Sequence, residues 1–319
     1  MSGSRSLLTS AGTSAPRRRA SSRRLGGRFT GLLFVAPAAA LFAVFGVYTI
    51  VYGFLLSFAR WNGFSPNWTW TGIQNYLDLL GANPPLASSV RVAAQNTLVV
   101  MIVLPIAVSA IGLVLAVMLN SVRRFRALLR TVYFLPYVTT GIAVFYAWRF
   151  VYEPNGSLNA ILSALGLTSL VQREGFLGNP FTSLAAVLFV LIWANVPIAM
   201  LLYLTGLQTI PESVVEAARV DGASSVRTLR SVILPLLNPI TALVVIIQLR
   251  EALQNFQVFL LMTNGGPVDS TQVLGLRTYQ LAFLDRTTDL GYASALGWML
   301  AAVAIILAIV NLRILRSRQ

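Results

Sequence analysis

The sequence contains no cysteine, no histidine and no lysine; all 24 of its basic residues are arginine. Without cysteine and histidine there are no disulfides, no thiol nucleophile, no Cys/His zinc site and no haem ligation by those residues. The missing histidine also excludes a Ser-His-Asp relay. The missing lysine excludes Schiff-base chemistry and a Walker A loop, whose Lys holds the phosphates. Such a chain does not split ATP in the P-loop manner by itself. Charge is scarce as well. Only 11% of residues are charged, against about a quarter in soluble proteins, while 56% are apolar. A water-facing surface cannot be built from so few charges, so much of this surface must face lipid.

What charge there is sits in clusters. Seven arginines precede residue 30, four lie in 123–130, three in 219–230 and three in the last seven residues. A net charge of +14 would read as nucleic-acid binding in a soluble protein. Clusters that alternate with long apolar stretches instead follow the positive-inside pattern, so no nucleic-acid partner is expected. A bilayer core about 30 Å thick needs roughly 20 apolar helical residues. Six stretches qualify, at about 31–57, 96–119, 131–152, 184–206, 236–262 and 290–312. The loops on the side of both termini carry 17 arginines and the opposite loops five, which predicts cytoplasmic termini. Residues 1–30 read as a basic, disordered cytoplasmic tail that touches anionic headgroups, and 313–319 as a short second tail. The first apolar run is longer than a signal-peptide core and is expected to remain as a span.

One cytoplasmic segment, 207–235, is unlike the others. Pro211 suits a first helical turn, and Glu212, Glu216 and Asp221 place acid toward its N-terminal half. Gly222 breaks that helix, and a second short amphipathic arm runs to Pro235, expected to end it. By itself this is a helix-turn-helix on the membrane surface. Its residues say more. Glu216-Ala217-Ala218, then Gly222, then Val232-x-Leu234-Pro235 resembles the EAA signature of ABC-importer membrane subunits, with Val in place of the usual Ile. A chance match of six such positions is on the order of one in ten thousand. The likeness continues in Gly72-x-x-Asn75-Tyr76, in Arg130-Thr131-x-Tyr133-Phe134-Leu135-Pro136, and in Thr263-Asn264-Gly265-Gly266-Pro267 followed by Tyr279 and Phe283. All of these resemble the carbohydrate branch of the family, the maltose- and glycerol-phosphate-type importers.

The resemblance implies an all-α polytopic protein of the bacterial plasma membrane, with six transmembrane helices and a cytoplasmic coupling helix-turn-helix. It implies a permease subunit without an ATPase site or a cofactor of its own, ATP-Mg being used by a partner. The implied partners are a second permease, two copies of an ABC ATPase and an extracytoplasmic sugar-binding protein. The coupling set would be Glu216, Ala217, Ala218, Asp221, Gly222, Val232, Leu234 and Pro235. Glu216 would touch the ATPase, Gly222 would permit the turn, and Val232, Leu234 and Pro235 would anchor the second arm. The same likeness puts Trp193, Asn195 and Ile198 of the fourth span where the family contacts sugar.

In the fifth span, Gln248, Glu251, Ala252 and Asn255 recur at the spacing of one helix face. Charged groups at bilayer depth cost at least about 2.5–3.5 kcal/mol each and normally face a cavity or a partner. The amides and the carboxylate suit sugar hydroxyls. They also suit fastening of helices to one another, as polar groups in membranes often do, and this second role is expected for Gln254 and Gln257. Arg250 lies off that face, as a counter-ion or toward a paired subunit. No metal-ligating set is present. A membrane enzyme would need clustered acids, and an ion-coupled transporter several acids at bilayer depth. Glu251 is the only one that qualifies.

Overall fold

The computed structural model describes residues 24–122, 125–139, 141–285 and 289–316. The expected basic tail therefore lies mostly outside the described residues, as do Arg123, Arg124, Arg286 and the last three residues. The chain divides into two units at Tyr52–Gly53. The first is helical. Helix α1 begins as Arg24–Phe42, loosens through a π-turn at Ala43–Tyr48 and continues as Thr49–Leu56 across the division. Phe34, Phe42, Phe45 and Tyr48 are exposed on it. Large apolar side chains in that state are costly in water, at about 25 cal/mol per Å², and carry no such cost in hydrocarbon.

The second unit opens with a short antiparallel ribbon, β1 (Ala59–Arg60) and β2 (Thr69–Trp70), in register Ala59 to Trp70. The long helices follow: α2 (Pro84–Ser121), α3 (Arg126–Thr139), α4 (Ile142–Tyr152), α5 (Ser157–Ala164) and α6 (Pro180–Gln208). The 207–235 segment forms α7 (Glu212–Val220) and a second arm, α8, running from Ser225 to Leu236 through a π-turn at Leu229–Ile233. Next come α9 (Asn238–Gln254), α10 (Gln257–Met262), α11 (Leu274–Phe283) and α12 (Leu290–Arg316). Among the described residues, four helices are long and apolar enough to cross a bilayer: Leu33–Leu56, Pro84–Ser121, Pro180–Gln208 and Leu290–Asn311. Two bent pairs raise the number to six if each is one span: Leu128–Thr139 with Ile142–Ala164, and Ser225–Leu236 with Asn238–Gln254, the latter bent by 70°.

Helix α6 is the centre of this unit. Apolar residues surround it on nearly all sides, and Val187, Val190, Ala199, Met200 and Tyr203 are almost fully buried. In a membrane, helices associate by close packing and not by expulsion of water, which favours small residues at crossings. The α2–α6 crossing obeys this rule. A Cβ placed on Gly112 would stand 2.8 Å from the Ala199 Cβ and 3.1 Å from the Met200 amide nitrogen.

The loop after α1 is fastened by its own polar groups. Fully buried Asn75 donates from Nδ2 to the carbonyls of Ser57 (2.9 Å) and Ala59 (2.8 Å), and the Tyr76 hydroxyl donates to Ser57 Oγ (2.8 Å). Asp78 is a hub. Its Oδ2 accepts from Arg60 (2.8 Å) and from the Tyr292 hydroxyl (2.7 Å), and its Oδ1 accepts from Gln74 Nε2 (2.8 Å). Tyr292 in turn accepts from Arg60 at 2.7 Å. The first turn of α12 is thereby tied to the segment around the ribbon.

Two outcomes follow from this packing. Gly112→Leu should overpack the α2–α6 crossing and destabilise the purified protein by roughly 1–3 kcal/mol, read as a lower thermal midpoint in detergent. Gly53→Leu, where no neighbour lies within 4 Å, should leave that midpoint nearly unchanged. The hydrogen bond from Tyr292, then those from Gln74 and Arg60 with the Arg60 charge, hold the Asp78 carboxyl below its ordinary value of 3.8 against the opposing pull of burial. A depressed carboxylate contributes stability that is complete above the unfolded value and lost as pH falls through the lower folded one. Acid titration of thermal stability should therefore show a loss below pH 3.8 that Asp78→Asn removes, the variant being weaker already at neutral pH.

Candidate functional site

The 207–235 segment is built from local backbone chemistry. After α7 the chain turns in a Schellman arrangement: the Ala223 amide donates to the Ala218 carbonyl (3.0 Å) and the Gly222 amide to the Arg219 carbonyl (3.0 Å). Gly222 carries φ +78°, a conformation that costs an L side chain about 1–2 kcal/mol. Ser224 then caps α8, its hydroxyl accepting from the Arg227 amide at 3.4 Å. Glu216, Ala217, Asp221 and Gly222 are exposed and Ala218 is half-buried. No residue of α7 is buried, and Val214, Val220 and Val226 stand open. The apolar side of this loop is only partly covered by its own chain, Val215, Val232 and Ile233 being half-buried.

Pro235 does not end the second arm. Helix continues through it to Leu236, because the π-turn at Leu229–Ile233 shifts the backbone register just where proline lacks an N–H. The bend comes at Leu237, ahead of Pro239, and the Thr241 hydroxyl satisfies the Leu237 carbonyl at 3.1 Å. Val232 and Leu234 are half-buried and Pro235 is exposed. Leu234 borders a cleft of about 550 Å³ shared with Met101, Ser109, Tyr203 and Val245.

The stripe in the fifth span departs from a single helix face. α9 stops at Gln254; Asn255 takes φ −82°, ψ 83° and the helix resumes only at Gln257. Asn255 thus leaves the face that Gln248, Glu251 and Ala252 share. Its side chain folds back to donate from Nδ2 to Glu251 Oε1, and its amide donates to the Glu251 carbonyl (2.9 Å). The break is braced from outside by Tyr279, whose ring stacks on Phe256 with centroids 5.0 Å apart. Gln254 accepts from Arg250 within the same helix at 3.0 Å, an intrahelical pairing in place of the expected tie between helices. Gln248 is fully buried, and neither its Nε2 nor its Oε1 has a hydrogen-bond partner in the chain. Ala252 is buried beside it on the same face.

In α6, Trp193 and Ile198 are half-buried and Asn195 is buried. Asn195 spends its amide on the Leu191 carbonyl one turn back, at 2.9 Å. The Trp193 ring meets Trp148 edge to face at 5.5 Å, so α4 supplies an aromatic partner that the sequence reading passed over. Phe189 and Tyr152 complete the cluster around Trp148. Among the described residues, the clefts of about 410, 590, 360 and 550 Å³ are lined by none of Trp193, Asn195, Ile198, Gln248, Glu251, Ala252 or Asn255.

The Asn-Gly-Gly-Pro turn after α10 is pinned on both sides. Asn264 and Gly265 adopt positive φ; Asn96 of α2 donates to the carbonyls of Asp269 (2.9 Å) and Gln272 (2.8 Å); Ser183 of α6 pairs with Ser270 at 2.8 Å.

Long apolar helices, two bent helix pairs and an exposed helix-turn-helix define an ABC-importer permease fold. The structure matches a chain of a bacterial ABC transporter involved in the import of the polysaccharide alginate, with a TM-score of 0.75, 22% identity, and 92% and 99% of the two chains covered. Residues 108–317 match the family model described as binding-protein-dependent transport system inner membrane component, and the chain belongs to that family. Among its relatives, the multiple sugar-binding transport system permease protein MsmF of Streptococcus mutans is 32% identical, over 92% of this chain and 97% of MsmF. The trehalose/maltose transport system permease protein MalF of Thermococcus litoralis is 30% identical, over 91% and 94%.

A buried amide without a partner costs a fold about 1–3 kcal/mol, a cost that packing alone would not retain. Gln248→Met, close in volume and apolar, should raise the thermal midpoint of the purified subunit while lowering uptake by the assembled transporter. Unchanged uptake with raised stability would assign Gln248 to packing.

Proposed function

We propose that this chain is the membrane permease subunit of an ATP-driven carbohydrate importer, forming half of the translocation pathway. The observation that carries the reading is the loop of α7 and α8. It holds the EAA pattern on a left-handed turn and leaves Val214, Val220 and Val226 exposed, as a surface completed by another subunit would be. In this reading a separate ABC ATPase, present in two copies and using ATP-Mg, seats that loop. Glu216, Ala217, Ala218 and Asp221 form the contact arm, Gly222 the turn, and Val232, Leu234 and Pro235 the arm that carries movement into α9. The chain itself has no catalytic role. The family's dependence on a binding protein, and the sugars in the names of MsmF and MalF, support an extracytoplasmic sugar-binding protein as the source of substrate.

Taking each bent pair as one span gives six, with both termini in the cytoplasm of a bacterial cell, on the side that the arginine clusters mark. The path would run between this chain and a second permease, a sister protein. Trp193, Asn195, Ile198, Gln248, Glu251, Ala252 and Asn255 would contribute this chain's half. The orphaned Gln248 amide supports that placement. Opening of the packing around α9 would hand it hydroxyl partners that the chain alone lacks.

Gly222→Val tests the coupling role. No atom lies within 4 Å of the site, so a β-branched side chain there strains the turn without clashing with any core. ATP-driven uptake of radiolabelled sugar into vesicles should fall by about tenfold or more, with membrane levels near wild type. Membrane levels that drop in step with uptake would make the loop a folding element. Uptake driven by an ion gradient without ATP would overturn the importer reading altogether.

A further inference from the structure

A cleft of about 590 Å³ lies beside α2 and α12, lined among others by Leu79, Ser88, Arg91, Leu296, Met299 and Val303. It is apolar at one end and cationic at the other, and the helices fix the depth of each end. α2 has 38 residues, so it is about 57 Å long, nearly twice the hydrocarbon thickness. Its uncharged run, residues 92–122, begins directly after Arg91. Arg91 therefore stands at the edge of the hydrocarbon, in the headgroup layer. Met299 and Val303 lie well inside α12, within the hydrocarbon.

Arg91 is exposed and, among the described residues, has neither an ion pair nor a hydrogen bond. The carboxylate nearest in sequence, Asp78, is already taken by Arg60, Gln74 and Tyr292. A free guanidinium at phosphate level above an apolar cleft that opens to hydrocarbon matches one kind of molecule in both charge and depth. We infer that this cleft seats an anionic glycerophospholipid, with its phosphate on Arg91 and an acyl chain against Leu296, Met299 and Val303. Arg is suited to the task because its planar fork binds phosphate oxygens in pairs. The inference rests on the chain spanning a bilayer and is independent of the sugar reading.

The full-length chain, purified with its associated subunits, is placed in nanodiscs of phosphatidylcholine with or without phosphatidylglycerol. Lipid retained after detergent extraction is then counted by native mass spectrometry. Wild type should retain phosphatidylglycerol over phosphatidylcholine by about fivefold, the preference one surface cation confers. Arg91→Gln should abolish the preference and keep phosphatidylcholine. Val303→Trp, and separately Met299→Trp, should lower retention of both lipids. Arg173→Gln, removing an exposed cation outside the cleft, should match wild type. The assignment fails if wild type shows no preference, if Arg173→Gln acts like Arg91→Gln, or if the tryptophan variants keep their lipid. It also fails if those variants release another permease subunit with lipid retention intact, since the cleft then holds a protein helix.

Discussion

Hydrocarbon offers no hydrogen bonds, so a backbone that crosses it must satisfy its own N–H and C=O groups. The breaks at Leu237 and Asn255 are shaped by that constraint. At Leu237 the bend is covered by the Leu237 amide on the Ile233 carbonyl and the Thr241 hydroxyl on the Leu237 carbonyl. At Asn255 the amide reaches Glu251 and the Phe256 amide reaches Gln254, so the two amides at the break are satisfied. The π-turn ahead of Pro235 is the same solution applied before the fault occurs. Irregular backbone that has been satisfied this carefully marks positions where a straight helix would not serve.

The two sides of the second unit are built differently. On the side of the Asn-Gly-Gly-Pro turn, loops are bonded to helices by buried or half-buried side chains: Asn75 to the ribbon, Asp78 to Arg60 and Tyr292, Asn96 and Ser183 to the turn after α10. On the opposite side the α7–α8 loop has ordered its own backbone through the Schellman turn and the Ser224 cap but leaves Val214, Val220 and Val226 exposed. A preformed turn with open apolar residues is what a docking element needs. The loop loses little conformational entropy when a partner arrives, and the gain comes from apolar surface still open.

How much of this was legible in the sequence depended on range. The turn at Gly222 is fixed by residues within six positions of it, and the spans by runs of apolar residues, so both could be read directly. The stripe was read by assuming an unbroken 3.6-residue period from Gln248 to Asn255, and no local residue announces the break. It is stabilised by Tyr279, 23 positions after Phe256, through stacking that only the fold creates. Asp78 and Tyr292 are 214 positions apart, and Arg60 looked like one of five stray cations in the topology count. Trp148 was similarly silent, because an aromatic near a span end is ordinary until α4 and α6 bring it against Trp193.

The exclusive use of arginine takes on meaning beside these contacts. Arg60 holds Asp78 and Tyr292 together while lying 5.4 Å over the Tyr292 ring. Arg250 reaches along its own helix to Gln254, and Arg277 pairs with Asp285 at 3.2 Å. Each relies on a guanidinium property: several donors in a fixed plane, a face that sits on an aromatic ring, and weaker hydration than an ammonium. A lysine in any of these places could supply the charge but not the geometry. In a chain with so few charges, Arg60, Arg250 and Arg277 serve as structural joints as well as scarce charges.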